Sequence, residues 1–518
     1  MKKSFFFIVV FFCLLPFSHA ISGWQDDVDR LIKESSVTQQ EKLIAKVVRA
    51  SPDWQDVAHH LRSMQFPEVE TDTFLLLTSK CIDDVERPYV VYIPASYYPG
   101  EPTPLSLVLH GGISRAEISD KPMEWATESE FVRLAQENGW LALYPFGQSG
   151  ATWWDDVGMA NVKNLIRTMK RKYNIDDDRI YMSGFSDGAS ASFGFAMVDP
   201  SDFAAFFAPN GHMGVFSLDG NVPTFAPNMY NSPVYAITNA NDGLYATEKM
   251  KPTIEMALDA GADITYRTHE GGHQLTYWDV EKPLVQNFLL RHPRDPIPSR
   301  IVWEAADKKF GRCHWFAIDE ITTAEPEPWH VDHNVAMIDN RVTIGFMNDD
   351  SFEGEGVKVN RVIEDTFAED VGLQDGDIIV RADDLKIRDI DDLNEFKSGV
   401  ERGDDIRLIV QRNGDKVDLK GALPEPRLYY LFKREQPSAF ADVTAYGNRI
   451  DIKSSRLGAF RILVNPDLFR LEQNLVISVN GEVVFDEKVE PNIGFMLKDY
   501  LQSRDRKALY VAEVRIAL

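Results

Sequence analysis

Residues 179–189, read R-I-Y-M-S-G-F-S-D-G-A, determine the predicted fold of this chain. Residues 180–183 are a short apolar run typical of a buried strand, and they lead directly into the G-x-S-x-G sequence at 184–188. Ser186 at its centre lies on a predicted sharp turn between a strand and a helix. Residues two before and two after such a serine must be nearly without side chains, and both are glycines here. The pattern therefore predicts a nucleophile elbow that presents Ser186.

Strand and helix patterns alternate around this elbow, from residue 71 to residue 293. Apolar runs predict strands at 74–78, 89–94, 105–109, 140–144, 180–183, 234–238 and 264–268. Helical patterns are found at 128–138, 161–173, 247–258 and 283–290. Such alternation is typical of a mainly parallel sheet with helices on both faces, so the predicted fold class is α/β.

The composition indicates a globular, exported protein. The 518 residues are 44% hydrophobic and 26% charged, with a formal net charge of −25. A surface of this charge repels nucleic acid and anionic membranes, so we expect neither as a partner. Lys2 and Lys3 precede an apolar core, and S-H-A ends at residue 20, which predicts a cleaved signal peptide over residues 1–20. No apolar stretch approaches the length of a membrane span, so we expect a secreted or periplasmic location without membrane insertion.

Cysteine and histidine positions give little sign of a cross-link or a metal. Cys81 and Cys313 remain after cleavage, and both a disulfide and two buried free thiols are open alternatives. His330 and His333 are three residues apart, so in an extended strand they point to opposite faces and cannot readily share an ion. We expect no metal and no cofactor.

A nucleophilic serine needs a base, and the base needs an orienting acid. In folds with a nucleophile elbow, the acid and then the histidine follow the serine, each on a loop after a later strand. Asp242 follows the strand 234–238, and His273 follows the strand 264–268. The predicted catalytic triad is therefore Ser186, His273 and Asp242.

Two nearby residues are the alternatives for these roles. Asp263 begins a predicted strand, which is the wrong end for a site beyond the carboxyl ends of the strands. His269 lies closer to its strand than His273, but the glycines at 271 and 272 give His273 the mobile approach that a base needs. We prefer His273 for this reason.

Acyl transfer also needs donors for the oxyanion. One is expected to be the backbone N–H of Asp187, directly after the nucleophile. The other should come from the loop after the third strand, which reads His110, Gly111, Gly112. The glycines let amides turn toward a ligand, and the donor is the N–H of either Gly112 or Ile113. His110 itself is expected to be structural.

Five segments carry a family resemblance: H-G-G at 110–112, W-W-D-D-V-G at 153–158, Y-N-I-D at 173–176, R-I-Y-M-S-G-F-S-D-G at 179–188 and G-G-H at 271–273. Together they resemble the polyhydroxybutyrate depolymerase and feruloyl esterase branch of the α/β-hydrolases. The resemblance covers roughly residues 71–292, less than half of the chain. It implies a serine carboxylesterase with Ser186, Asp242 and His273 as its triad. The implied substrate is an ester of a small molecule, a polyester or a plant polysaccharide.

Two features of the same region concern the substrate. Trp153 and Trp154 are candidates for lining an aromatic acyl or sugar site, with a position in the core as the alternative. Asp187 departs from the family pattern, because that branch usually carries asparagine or another neutral residue there.

A second module follows over residues 340–424. The stretch 371–379, V-G-L-Q-D-G-D-I-I, closely resembles the G-L-x-x-G-D signature of PDZ domains. In that family a peptide carboxyl end binds by strand addition at a loop that Ile344, Gly345 and Phe346 match here. The alternative is a PDZ-like domain that only packs on the hydrolase.

The remaining segments predict a helical lead-in and a divided domain. Residues 21–70 read as short helices. Residues 294–339 are too short for a core, so we expect them to join 425–518 in one β-rich domain with the PDZ-like module inserted. Strands within 301–318 should then pair with, or pack on, strands within 439–485.

The main hypothesis is a secreted serine ester hydrolase that works through an acyl-enzyme. A serine peptidase on the same fold would use the same parts and is the first alternative. A catalytically idle scaffold, in which the PDZ-like groove does the binding, is the second. The intact predicted triad disfavours the scaffold.

Overall fold

The computed structural model of the protein describes residues 23–113, 120–340, 342–349 and 351–518. The chain divides into two compact units, Met1–His333 with Phe432–Leu518, and Asn334–Leu431. The predicted signal peptide lies outside the described residues. Within the described part of the chain, no helix is both long and apolar enough to cross a membrane.

Three amphipathic helices open the described chain: α1 Gly23–Lys33, α2 Val37–Ala50 and α3 Trp54–Arg62. Asp53 caps α3, because its carboxylate accepts the N–H of Gln55. Their apolar faces pack in one core with a helix near the end of the chain. The residues of this core include Val28, Leu31, Ile44, Val47, Val57, Leu61, Met496, Leu497 and Tyr500. The predicted helical lead-in is therefore packed against the C-terminal segment of the same unit.

An eight-stranded sheet follows, made of β1 Thr73–Lys80, β2 Glu86–Ile93, β3 Thr103–Leu109, β4 Leu141–Pro145, β5 Ile175–Gly184, β6 Ala205–Pro209, β7 Val234–Asn239 and β8 Ile264–His269. The strand order is β1-β2-β4-β3-β5-β6-β7-β8. β2 is antiparallel to β1 and β4, and every later pair is parallel. This topology confirms the predicted α/β-hydrolase fold.

Helices cover this sheet: α4 Pro122–Glu128, α5 Glu130–Glu137, α6 Asp156–Lys172, α7 Asp187–Val198, α8 Val215–Leu218, α9 Thr247–Asp259 and α10 Trp278–Arg291, with a 3₁₀ turn at Ala226–Asn231. The helix α7 is buried along most of its length, because it follows the elbow and packs under the sheet. Its apolar and small residues suit that position, and they show no one-sided pattern.

The sequence analysis missed β6. Its five residues, A-F-F-A-P, are all buried between β5 and β7. A central strand of a parallel sheet is buried on both faces, so its side chains do not alternate between apolar and polar. The residue that follows β6, Asn210, bears directly on the candidate site described below.

After α10 the chain forms β9 Arg300–Ala305, β10 Arg312–Cys313 and β11 Phe316–Ile321, and then enters the second unit. That unit contains β12 Ala336–Asp339, β13 Phe346–Asn348, β14 Val357–Val362, α11 Phe367–Asp370, β15 Ile378–Ala382, β16 Leu385–Lys386, α12 Ile390–Ser398, β17 Asp405–Arg412, β18 Asp415–Ala422 and β19 Arg427–Tyr430. Its sheet has the order β13-β14-β15-β17-β18, with β16 beside β15, around a core of its own.

The second unit is wider than the predicted 340–424. β12 and β19 pair with each other, Ala336 opposite Tyr430 and Ile338 opposite Leu428. They form a two-stranded stem that belongs to the inserted unit rather than to the β-rich domain. The stem was missed because both runs are only four residues long.

The tail completes the first unit with β20 Ala439–Tyr446, β21 Arg449–Ser455, β22 Leu457–Val464, β23 Leu475–Val479, β24 Glu482–Glu487, α13 Ile493–Ser503 and β25 Ala512–Ala517. β9 pairs with β20, and β11 pairs with β22. A five-stranded sheet, β24-β23-β21-β20-β9, and a four-stranded sheet, β10-β11-β22-β25, share one core. The expected pairing across the insertion is thus present in the structure.

Candidate active site

The elbow holds Ser186 in a strained conformation between β5 and α7. Its φ is 59° and its ψ is −116°, values that residues with a side chain rarely adopt. A Cβ atom added to Gly184 would lie 2.3 Å from the carbonyl oxygen of Leu109, and one added to Gly188 would lie 2.0 Å from it. Both positions therefore require glycine, as the G-x-S-x-G pattern indicates.

A continuous hydrogen-bond chain joins the three predicted triad residues. Ser186 Oγ lies 2.9 Å from Nε2 of His273, and Nδ1 of His273 lies 2.8 Å from Oδ2 of Asp242. Ser186 follows β5, Asp242 follows β7 and His273 follows β8, so all three lie at the carboxyl edge of the parallel strands. This geometry fits the distances that a nucleophile, a base and an orienting acid need.

The carboxylate of Asp242 is fully buried and accepts four hydrogen bonds. Oδ1 accepts the N–H groups of Leu244 and Tyr245 at 2.8 and 2.9 Å, and Oδ2 accepts Asn210 Nδ2 at 2.8 Å in addition to His273. Burial alone would raise the pKa of Asp242, but these hydrogen bonds outweigh it and lower the pKa to about 2. An ionised Asp242 holds the proton of His273 on Nδ1 and leaves Nε2 free to accept the Ser186 hydroxyl.

The alternative histidine, His269, lies in a different network. Its Nε2 is 2.7 Å from Oε1 of Glu281, and its ring stacks on Tyr277 with the ring centres 4.9 Å apart. Glu281 is fully buried, and although burial raises its pKa, hydrogen bonds from Tyr235, His269 and Arg267 lower it below the ordinary value. The geometry therefore agrees with the choice of His273 as the base.

The H-G-G loop passes directly over the elbow. A Cβ atom added to Gly111 would lie 2.9 Å from Cβ of Ser186, so the close approach requires glycine. The N–H of Ile113 donates to Oδ2 of Asp187 at 2.8 Å. Because this donor is already engaged, Gly112 is the remaining alternative for the second oxyanion donor. Asp187 thus has two possible contributions, its own N–H and the carboxylate that holds the loop.

His110 and Trp153 form the support beneath that loop. Nε2 of His110 accepts the N–H of Gly147 at 3.0 Å, and the indole N–H of Trp153 donates to the His110 carbonyl at 2.9 Å. Trp153 is fully buried, so the prediction that it lines the substrate site is wrong. The alternative of a core tryptophan is the one found. Trp154 is partly exposed and stays a candidate for substrate contact.

Aromatic side chains flank the base. The ring centre of Phe185 lies 4.7 Å from that of His273, and Tyr245 lies 5.8 Å away on an edge-on approach. Tyr245 also contacts His212, with ring centres 5.7 Å apart. These side chains give the imidazole an apolar setting at the mouth of the candidate site.

Sequence reasoning missed two residues behind the acid. Asn210 is fully buried directly after β6, and its Nδ2 donates to Asp242. Tyr277, also buried, donates its hydroxyl to Oδ1 of Asn210 at 2.5 Å. The available signal was a polar residue directly after an apolar run, in the sequence A-F-F-A-P-N-G, and it was lost together with β6.

The residues predicted to bind a peptide lie at one edge of the second unit. Phe346 begins β13, which is the edge strand of its sheet, and Gly345 has a φ of 96°. Ile344 is buried, and its carbonyl accepts the N–H of Ala368 at 2.8 Å. The loop is therefore held by the unit's own core before any ligand binds.

The remaining sequence candidates occupy buried positions in the first unit. Cys81 and Cys313 are both buried free thiols. His330 lies between Ser455 and Glu304, at 3.0 and 2.9 Å. Among the described residues, no group of three or more His, Cys, Asp or Glu side chains is arranged to hold a metal ion.

Comparison with known proteins finds a domain-family match and two kinds of similar protein. Residues 335–423 match the family model of the PDZ domain. A bifunctional acetylxylan esterase/xylanase of Neocallimastix patriciarum is 35% identical over 129 residues, which are 24% of this chain and 18% of that protein. The match therefore spans less than a fifth of the length of that curated relative.

Two solved structures of esterases are similar to part of this chain. A thermostable esterase shares 20% identity over 43% of this chain and 64% of its own, with a TM-score of 0.35. A ferulic acid esterase shares 15% identity over 43% of this chain and 99% of its own, also with a TM-score of 0.35. On its own strand order and on the family model at 335–423, the chain combines an α/β-hydrolase domain with a PDZ domain.

Proposed function

We propose that this protein is a serine hydrolase of carboxylic esters that works through an acyl-enzyme. The observation that carries the proposal is the hydrogen-bond chain from Ser186 through His273 to the ionised Asp242, set at a strained elbow beneath the H-G-G loop. Each part has a role in acyl transfer, and all of them meet at one edge of the sheet.

In the first half of the reaction, Ser186 Oγ attacks the ester carbonyl while Nε2 of His273 takes the hydroxyl proton. The N–H groups of Asp187 and Gly112 receive the negative charge on the carbonyl oxygen. His273 then gives its proton to the departing alcohol, which leaves Ser186 acylated. In the second half, water attacks the acyl carbon while Nε2 of His273 takes a proton from the water. The bond between the acyl carbon and Ser186 Oγ then breaks, His273 returns the proton to Oγ, and the carboxylic acid is released.

The proposed substrates are esters of a small molecule, a polyester or a plant polysaccharide. The similarity of a 129-residue stretch to an acetylxylan esterase/xylanase favours acyl esters of a polysaccharide. Phe185 and Tyr245 beside the base provide apolar surface for an acyl or sugar group, and the partly exposed Trp154 stays a candidate for the same role.

A substrate panel on the wild type and Ser186→Ala tests the proposal. It contains p-nitrophenyl esters, feruloyl and acetylated sugars, hydroxyalkanoate oligomers and peptide amides. We expect ester turnover that Ser186→Ala lowers by several orders of magnitude, because nucleophile and base act as a unit. Unchanged turnover in Ser186→Ala would reject the serine mechanism. Faster cleavage of peptide amides than of esters would favour the peptidase alternative.

We also propose that the PDZ domain binds a peptide carboxyl end along β13. Supporting this are the free outer edge of β13 in the described sheet and the preformed loop at Ile344, Gly345 and Phe346. The test measures binding of peptide libraries to the full chain, with free and with amidated carboxyl ends. Binding that disappears on amidation is expected. Equal binding of both forms, or binding of neither, would contradict the proposal.

Export is proposed from the predicted signal peptide, residues 1–20. Sequencing the amino terminus of the mature protein tests it, and we expect the mature chain to begin at Ile21. A mature chain that still begins at Met1 would contradict it.

A further inference from the structure

We propose that Asn210 is a positioning residue of the active site, fixed in turn by Tyr277, and that it holds the carboxylate of Asp242 in register with His273. The inference rests on the proposed ester hydrolase and extends its hydrogen-bond chain by two residues. Neither residue contacts the substrate in this account, and both act through Asp242.

The contacts define a single direction for the side chain of Asn210. Its Oδ1 accepts the hydroxyl of Tyr277 at 2.5 Å, which leaves Nδ2 to donate to Oδ2 of Asp242 at 2.8 Å. An amide can present either end to a neighbour, and the hydroxyl donor selects the end that faces the acid. The same oxygen, Oδ2, accepts the His273 bond, so any rotation of the carboxylate changes both contacts.

The backbone at Asn210 is built for this placement. Its φ is 52°, in the left-handed region, where asparagine is among the few tolerated residues with a side chain. Its N–H donates to the carbonyl of Ile237 at 2.8 Å, which ties the turn after β6 to β7. The side chain is fully buried. A left-handed turn thus directs one amide from the end of β6 at the acid that follows β7.

Tyr277 is kept protonated, as a hydroxyl that donates to Asn210 must be. Burial, together with the nearby Glu281 and Asp242, raises the pKa of Tyr277 far above its ordinary value, so its hydroxyl stays a donor. Its ring stacks on His269, which is hydrogen-bonded to Glu281. The rejected base candidate therefore supports the residue that orients Asn210.

The test compares three variants by steady-state kinetics and thermal unfolding. Asn210→Gly removes the amide without straining the left-handed backbone, and Tyr277→Phe removes only the hydroxyl. Tyr97→Phe is the matched control, because the Tyr97 hydroxyl is similarly buried but accepts the N–H of Asn174 at 3.0 Å, directly before β5 and at the other end of the sheet from Asp242. We expect Asn210→Gly to lower kcat roughly 10- to 100-fold with an unchanged KM, the loss typical of a buried hydrogen bond to a charged group. Tyr277→Phe should lower kcat less, by about 10-fold.

A spectroscopic readout separates positioning from a purely structural role. The downfield proton resonance of His273 Nδ1–H should shift in Asn210→Gly and in Tyr277→Phe, and stay in place in Tyr97→Phe. A lower melting temperature with unchanged kcat and an unmoved resonance would overturn the inference. If Asn210→Gly fails to fold, Tyr277→Phe decides the question by the same two measurements.

Ser186→Ala in the same series distinguishes a failure of the positioning role from a failure of the proposed function. If Ser186→Ala abolishes turnover while Asn210→Gly and Tyr277→Phe match the wild type, only the positioning role is wrong. If Ser186→Ala retains turnover, the proposed function is wrong and the positioning role is rejected with it.

Discussion

Two hydrogen-bond chains of the Ser–His–acid type occur among the described residues of the first unit. One runs from Ser186 through His273 to Asp242 at the edge of the hydrolase sheet. The other lies in the β-sandwich, the two sheets of the β-rich domain that share one core. There Ser455 Oγ is 3.0 Å from Nδ1 of His330, and Glu304 Oε1 is 2.9 Å from Nε2 of the same ring. Composition and distance do not distinguish the two.

Their surroundings do distinguish them. The side chain of His273 is 24% exposed, whereas those of His330 and Glu304 are each 5% exposed. Ser455 is buried at the end of a regular strand, and its Oγ already accepts the N–H of Glu327. A Ser–His–acid chain becomes a candidate site only where the serine lies at an open elbow with oxyanion donors beside it.

The sandwich chain has a structural use instead. Glu304 Oε1 accepts His330, on the segment that leads into the inserted unit, and also Ser438, on the segment that returns from it. One buried carboxylate therefore fastens both connections of the insertion to β9.

Replacing each of the two histidines by alanine should give the largest difference in activity between the two chains. We expect His273→Ala to lower kcat for a p-nitrophenyl ester by roughly 10⁴-fold or more, because the base acts as a unit with Ser186. His330→Ala should leave turnover per folded molecule unchanged but destabilise the protein by about 1–3 kcal/mol, since Glu304 loses a buried donor. Kinetics and denaturant titration of both variants check this. A large loss of kcat in folded His330→Ala would show that the sandwich chain contributes to catalysis.

Removing the contact between Asp187 and the H-G-G loop should lower kcat by less than removing His273 does. Asp187→Ala removes the acceptor for the Ile113 N–H, so the H-G-G loop loses its tie and kcat should fall about 10- to 100-fold. Asp187→Asn keeps an acceptor oxygen at that point and should retain most of the activity. Steady-state kinetics on both variants measure this. Equal losses in the two would assign the effect to the charge rather than to the contact.

A third histidine, the buried His314, adds a prediction on pH dependence. Burial, with a contribution from Arg294, lowers the pKa of His314 to about 3. The unfolded chain has an ordinary histidine pKa of about 6.5, so between these values it binds a proton that the folded state does not. The free energy of unfolding should therefore fall as the pH drops below about 6.5, by up to about 1.4 kcal/mol per pH unit, and level off near 3.

The matched variant for this prediction is His314→Asn, because the φ of 49° at this position suits asparagine. Denaturant titrations between about pH 6.5 and 5, above the range where the carboxylates of the unfolded chain take up most of their protons, should show a shallower slope in the variant. Identical slopes would mean that His314 does not titrate between the folded and unfolded states.

The smallest effect is expected from removing the inserted unit. Replacing residues 334–431 by a short Gly-Ser linker leaves both histidine chains intact, and ester turnover should stay within about 2-fold. The remaining ends suit a short linker, because Arg434 already donates to the His333 carbonyl at 3.2 Å. Turnover and melting temperature of the deletion variant measure this. A large loss of turnover in a folded protein would show that the PDZ domain takes part in the reaction.

A residue of the candidate site could be predicted from the sequence only where the strand before it could be recognised. Ser186, Asp242 and His273 could be proposed together from the sequence because each follows an apolar run that is long enough to recognise. Asn210 was missed because β6 is short and buried on both faces, without alternation. The predicted strand order therefore lacked the strand between β5 and β7 whose carboxyl end would have marked Asn210 as a candidate.

Side-chain contacts between distant segments that share no recognisable motif could not be predicted. Nothing in the local sequence connects Ile113 with Asp187, or His330 with Ser455 and Glu304, because tertiary packing alone brings them together. Trp153 was a candidate for the substrate site with the core as its alternative, and in the structure the indole fills the core and donates to the His110 carbonyl.

The β12–β19 stem also has a consequence for how the chain folds. β9 and β20 are neighbours in the sandwich, yet the whole inserted unit separates them in the sequence, and closing so long a loop costs conformational entropy. Once the insert has folded, its stem holds Val335 beside Leu431, with the N–H of Leu431 2.8 Å from the Val335 carbonyl. The two halves of the sandwich are then joined as if by a short turn. The insert thus lowers the effective contact order of the domain that carries it, and folding of the insert before the sandwich is the fast route.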